Sequence, residues 1–169
     1  MCVLIRSGEV ENLGFDVVRF LYHLGLAVLI GGGLALGSAA APAIFKTVRS
    51  RGEAGTIFGE ALRRWDGLAI LCVVLVVITS ALAAGTEITG TPETRLLVRW
   101  AALVVLCSAV IYSSAWANPI ARSLRSQSRD WDDLPESSPV RREFAILHRR
   151  STRAIQIAIV AGLVALFLS

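Results

Sequence analysis

Apolar and polar positions fall in blocks along this chain instead of alternating residue by residue. Four runs are apolar and nearly free of charge: Val17–Ala41, Leu68–Ala84, Leu96–Ala117 and Ala154–Leu168. A bilayer core about 30 Å thick takes about 20 helical residues to cross. In lipid the backbone must satisfy its own polar groups, and a helix does this within one segment. A transmembrane β-barrel needs alternating positions, which these runs lack. The pattern predicts an all-α integral membrane bundle of four transmembrane helices in up-and-down order, one domain over 1–169. The fourth run is short for a span at about 1.5 Å per residue. It needs local bilayer thinning or snorkelling by Arg153.

Signals between the runs set the expected boundaries. The first helix is expected to begin near Asn12 or Phe15, with Asp16 in its first turn and Arg19 three residues on to pair with it. Pro42 is expected to kink or end this span, with Ala43–Val48 continuing helically. Ser50 and Glu53 have capping-box spacing. They predict a short amphipathic interfacial helix, Arg51–Arg64, with Trp65 and Asp66 marking the edge of the second span. Thr91, Pro92 and Glu93 predict a helix start near Pro92. That helix is expected to reach about Asn118, with Arg122, Arg125 and Arg129 beyond it at helical spacing. Gln127–Ser138 reads as a solvated loop. Ser138-Pro139 repeats the cap-plus-proline signal and opens a fourth helix running to near Ser169.

Small residues mark the expected packing faces. Gly33 and Gly37 form a GxxxG, the pairs Ala35, Ala39 and Gly37, Ala41 extend the small-residue pattern, Gly31 is a further packing residue, and Ala154, Ala158 and Gly162 give a second face. Such residues permit close backbone approach between helices in lipid. They point to packing inside the bundle, to a homodimer seam or to a ligand groove.

Composition agrees with the blocks: 54% of residues are hydrophobic and only 18% charged. Charge adds orientation. Of the 17 Lys and Arg, Arg6, Arg19, Arg95 and Arg99 fall on one side of the alternating topology, leaving 13 on the other. The positive-inside rule then places both long connections in the cytoplasm and both termini outside, as in a bacterial inner membrane. The N-terminal stretch has no signal-peptide pattern, so the first run is expected to stay as a span. Arg63, Arg64, Arg141, Arg142, His148, Arg149 and Arg150 read as lipid-headgroup or interface residues, not as a nucleic-acid footprint. Cys2, Cys72 and Cys107 form no CxxC, and the latter two read as small hydrophobes within spans.

Candidate chemistry is sparse. Ionisable residues within a span are functional candidates, and His23, with Arg19, Tyr22 and Arg99 as a polar cluster, is the foremost. It can bind a metal, a haem or a chlorophyll, relay protons, or simply bond to a Ser or Thr of a neighbouring span. His148 is expected at the opposite side of the bilayer, so the two histidines cannot share one iron. A haem or chlorophyll contact would need a ligand from another chain or a single axial ligand. No cofactor or metal site is predicted. His148, Thr152 and Gln156 fall at i, i+4, i+8 and form a polar stripe expected to meet Asn118 or Ser114. With no nucleophile–base pair, phosphate loop or metal-ligand spacing, the chain is not expected to be an enzyme.

Three patches together carry a resemblance: His23 with the glycine run to Ala41-Pro42-Ala43-Ile44-Phe45; Glu53-Ala54-Gly55 through Phe58-Gly59 to Arg64; and Asn118-Pro119 with Phe144, Leu147, His148 and Ser151. This resembles the transmembrane protein 205-like family of small four-helix membrane proteins, whose bacterial members have no settled function. The resemblance covers nearly the whole chain. It departs at Arg63-Arg64-Trp65-Asp66, where the pattern implies an aromatic pair after the arginine. His23 followed by the glycines also looks like the copper-resistance D membrane proteins. The expected function is a non-catalytic structural or accessory subunit, in the bilayer and beside other membrane subunits. The alternatives are a small transporter or metal-tolerance protein using His23, and a cofactor-contacting subunit of a redox or photosynthetic complex.

Overall fold

In a computed structural model, the backbone is described for residues 2–87, 93–127, 131, 134–135 and 137–169, and side chains from residue 13 on except 86 and 87. Four long helices account for nearly all of it. Helix α1 runs over Cys2–Ala35, widens into a π turn at Leu36–Ala40 and continues over Ala41–Thr47. Helix α2 is Arg51–Glu87. Helix α3 runs over Thr94–Ile111, widens at Tyr112–Ala117 and continues over Asn118–Gln127. Helix α4 is Pro139–Phe167. All four are long and apolar enough to cross a membrane.

Several expected boundaries move. Helix α1 begins at Cys2 and not near Asn12 or Phe15, because no proline interrupts that stretch. The separate interfacial helix over Arg51–Arg64 is not formed. Those residues are the first turns of the single helix α2, since neither Trp65 nor Asp66 can break a helix. Ser50 does cap it, its Oγ accepting from the Glu53 N–H at 2.9 Å. Helix α3 starts at Thr94 behind an extended Glu93, while Thr91 and Pro92 lie outside the described residues. Ser138 caps α4 by accepting from the Arg141 N–H. No ion pair joins Asp16 to Arg19 among the described residues.

Both π turns lie just upstream of a proline, Pro42 in α1 and Pro119 in α3. A proline inside a helix withholds one N–H and pushes its ring against the preceding turn. A widened turn absorbs both defects. Neither proline therefore ends its helix; of the two outcomes expected at Pro42, a kink or an end, the end does not occur, and the helix continues to Thr47 as expected for Ala43–Val48.

Helix α1 packs against α2 and α4, and α4 packs against α3. The core joins Tyr22, Leu26 and Leu29 of α1 to Trp65, Ala69 and Val76 of α2, Leu103 and Leu106 of α3, and Ala158 and Ala165 of α4. The inward residues of α4 step by three and four: Leu147, Ser151, Ala154, Ala158, Ala161, Ala165. Nearly all are small, so α4 sits close to its neighbours. A methyl group on Gly162 would lie 2.9 Å from Ile30 and 3.0 Å from Leu106. Large apolar side chains such as Phe20, Leu71, Val104 and Val160 point outward, as a surface solvated by acyl chains requires.

The small residues of α1 divide by face. Gly33 meets Ile155 and Ile159 of α4, whereas Gly31 and Gly37 have open space around them. The tightest approach of α1 is at Gly32, which lies directly under the Trp65 ring. Gly25 is also tight, since a methyl there would meet Val76 at 2.7 Å.

Candidate functional sites at the two ends of the bundle

The end that holds the α1–α2 connection carries most of the basic residues, and a buried polar network lies at its centre. Asp66 of α2 is 5% exposed. Its Oδ1 accepts from the Asn118 amide at 2.8 Å, and its Oδ2 pairs with the Arg122 guanidinium at 2.5 Å. The Asn118 oxygen in turn accepts from the Ser151 hydroxyl at 2.6 Å. Ser151 also lies 2.7 Å from Ser113 within the widened turn of α3. Five side chains thus tie α2, α3 and α4 together. A buried carboxylate is tolerable only when paired and hydrogen-bonded, and here it has both. Arg125 extends the grip, donating to the Gly52 carbonyl at 2.6 Å and lying across Gly55. A side chain at 55 would collide with that guanidinium.

Sequence reasoning did not find this network. Asp66 was expected only to mark a boundary, and Arg122 and Arg125 to project beyond the span. The available signals were the lone carboxylate beside the Leu68–Ala84 run, and Asn118 with Arg122 one turn apart. The polar stripe His148, Thr152 and Gln156 does not meet Asn118 or Ser114. The structure gives that role to Ser151 and turns the stripe outward, because Ser151 is in step with Ala154 and Ala158 and Thr152 is one position off.

The stripe instead forms one wall of a groove between α4 and α1, with a volume of about 440 Å³. Gly37 and Ala41 of α1 and Phe58 and Trp65 of α2 line the other side.

Four other arginines at this end are engaged locally. Arg63 and Arg64 both hold Glu60, ahead of the apolar part of α2. Their hydrogen bonds lower the Glu60 pKa to about 2. Arg141 donates to the Trp131 carbonyl at 2.7 Å, and Arg125 and Arg141 both approach the Trp131 ring.

At the opposite end, Arg19, Tyr22, His23 and Arg99 line one cavity of about 170 Å³ together with Thr79, Ser80 and Ser169. The His23 Nδ1 donates to the Arg19 carbonyl at 2.7 Å, and its Nε2 lies 3.1 Å from the Ser169 hydroxyl, which itself donates to the Leu166 carbonyl. Ligation of a metal or haem by Nε2 would require the serine to move away. His23 and His148 lie beside opposite ends of α4, about 30 Å apart at 1.5 Å per residue. No group of three or more metal-ligating side chains occurs among the described residues. Cys72 is buried, Cys107 half-buried, and both are free thiols.

Fold and site together define a multi-pass helical membrane protein, with one polar network at its basic end and one small polar cavity at the other. Residues 24–130 match the family described as "Domain of unknown function (DUF4149)", and the chain belongs to that family. The match takes in Asp66, Asn118, Arg122 and both π turns, while Ser151 and the groove stripe on α4 lie beyond it. The chain matches no curated protein and no solved structure.

Proposed function

We propose that this chain is a non-catalytic accessory subunit, a rigid scaffold within a membrane complex. In this reading it sits in a bacterial inner membrane with both termini outside the cytoplasm, as a transmembrane protein 205-like protein. One observation carries the proposal: Asp66, Ser113, Asn118 and Ser151, buried at the basic end, are spent on bonding helix to helix. A carboxylate that already holds an asparagine and an arginine is a brace between helices. The braced body keeps Gly31, Ala35 and Ala39 exposed at four-residue spacing along α1, where a foreign helix can approach closely. Purification from native membranes in mild detergent tests the reading. A stoichiometric membrane-protein partner is expected, and a chain that migrates alone as a monomer overturns it.

The cavity around His23 favours a second reading, a small transporter or metal-tolerance protein. There the polar cluster would receive a solute at the end of the bundle. In cells dependent on the protein, His23→Ala is expected to impair solute tolerance or uptake, and unchanged values would sink this reading.

A further inference from the structure

A second groove runs along the lipid side of α3 and α4, with a volume of about 610 Å³. Ala101 and Ala102 of α3 and Ala161 of α4 keep it open, since each side chain ends at one carbon. Its rim is β-branched: Val98, Val105, Val160 and Val164 line it and are exposed. On α4 the lining runs from Arg153 to Val164, about 16 Å along the helix axis. That is about half of a hydrocarbon core roughly 30 Å thick, the depth to which the acyl chains of one leaflet reach.

Polarity is confined to one end of this groove. Arg153 and Gln156, one turn apart, are its polar lining residues among those described, and the rest of the lining is apolar. Arg149 stands one turn before Arg153 on the same face of α4, with Arg150 beside it. All three arginines are exposed. No carboxylate pairs with any of them among the described residues. Arg149 bonds only to the Ala145 carbonyl of its own helix. Glu143, the one acid of α4, lies about two turns before Arg150. Arg153 immediately precedes the apolar run Ala154–Leu168, which is short for a span. Its guanidinium is therefore held at the hydrocarbon boundary and reaches toward the phosphates of that leaflet.

We propose that the α3–α4 groove binds one anionic phospholipid from the leaflet at the basic end. The lipid phosphate accepts from Arg153, and a glycerol ester carbonyl accepts from the Gln156 amide one turn deeper. One acyl chain lies over the three alanines toward Val164. Three cations without a paired acid favour a headgroup of net negative charge, because the ammonium of a zwitterionic headgroup would face Arg149 and Arg150. A flexible chain follows a β-branched rim, whereas close approach of a foreign helix calls for small residues there. The inference rests on neither the scaffold nor the transporter reading, since it concerns lipid binding by the chain alone.

The test is native mass spectrometry of the full chain in detergent, with dioleoylphosphatidylglycerol or dioleoylphosphatidylcholine added at equal concentration. Phosphatidylglycerol is expected to stay bound under activation that strips phosphatidylcholine. Arg153→Gln should weaken phosphatidylglycerol binding about fivefold, the worth of one cation beside an anionic lipid. Ala101→Leu, at an exposed position away from the charges, fills the groove and should weaken binding at least as much. Circular dichroism melting confirms that both variants fold. Equal retention of the two lipids overturns the proposal, as does unchanged binding in either variant. Displacement of the lipid by inorganic phosphate at equal concentration overturns it too, and would assign the arginines to a free anion. A lipid-free dimer that Ala101→Leu dissociates would give the groove to a second copy of the chain and likewise overturn it.

Discussion

Ser151 and Thr152 are neighbours in sequence and opposites in role. Ser151 faces inward and joins Asn118 to Ser113. Thr152 faces outward, bonds only to its own helix and lines the groove. The two sides of α4 at this level are a closed network and an open cavity. On the inner side Ser113, Asn118 and Ser151 have partners on another helix, while the outward His148 ring and Gln156 amide make no hydrogen bond among the described residues. A turn of 100° about one helix axis separates a brace from the wall of an open groove.

The largest expected effect is on the brace. Asp66→Ala removes the carboxylate that holds Asn118 and Arg122, and breaking such a buried pair costs about 3–5 kcal/mol. Thermal unfolding in detergent should show a much lower melting temperature. A variant as stable as the parent would mean that the network braces nothing.

A smaller effect should separate the two faces of α4. Ser151→Ala leaves the buried Asn118 oxygen without its donor, worth about 1–3 kcal/mol. Thr152→Val, one residue away, should change stability by less than about 0.5 kcal/mol. Equal losses in the same unfolding assay would erase the distinction between brace and groove.

Glu60 gives a reference point for both. Its carboxylate, held by Arg63 and Arg64, stays ionised until the pH falls to about 2. The pair is therefore present across the range in which such unfolding experiments are run. Exposed and bonded only within its own helix, it fixes the local charge arrangement at the start of α2 and braces no second helix.

The four spans and their helical nature were legible from the chain alone. Long apolar runs in lipid leave the backbone no other way to satisfy its polar groups, and the structure has four such helices. The Ser50 and Ser138 caps were equally local and equally readable, because each joins residues three apart. The gathering of Arg19, Tyr22, His23 and Arg99 around one cavity was half local: the first three share turns of α1, and Arg99 comes from α3.

What the tertiary structure alone decided begins with the pairing of Asp66 to Asn118 and Arg122, across 52 and 56 residues. Helical spacing tells which residues share a face but not which face meets which helix. The continuity of α1 and α3 through their prolines also came from outside local rules. Packing at Gly32, Gly33 and Ser151 keeps each helix seated against its neighbours on both sides of the weak point. The groove is decided at the same level, since a cavity exists only where two helices that touch at one turn diverge at the next.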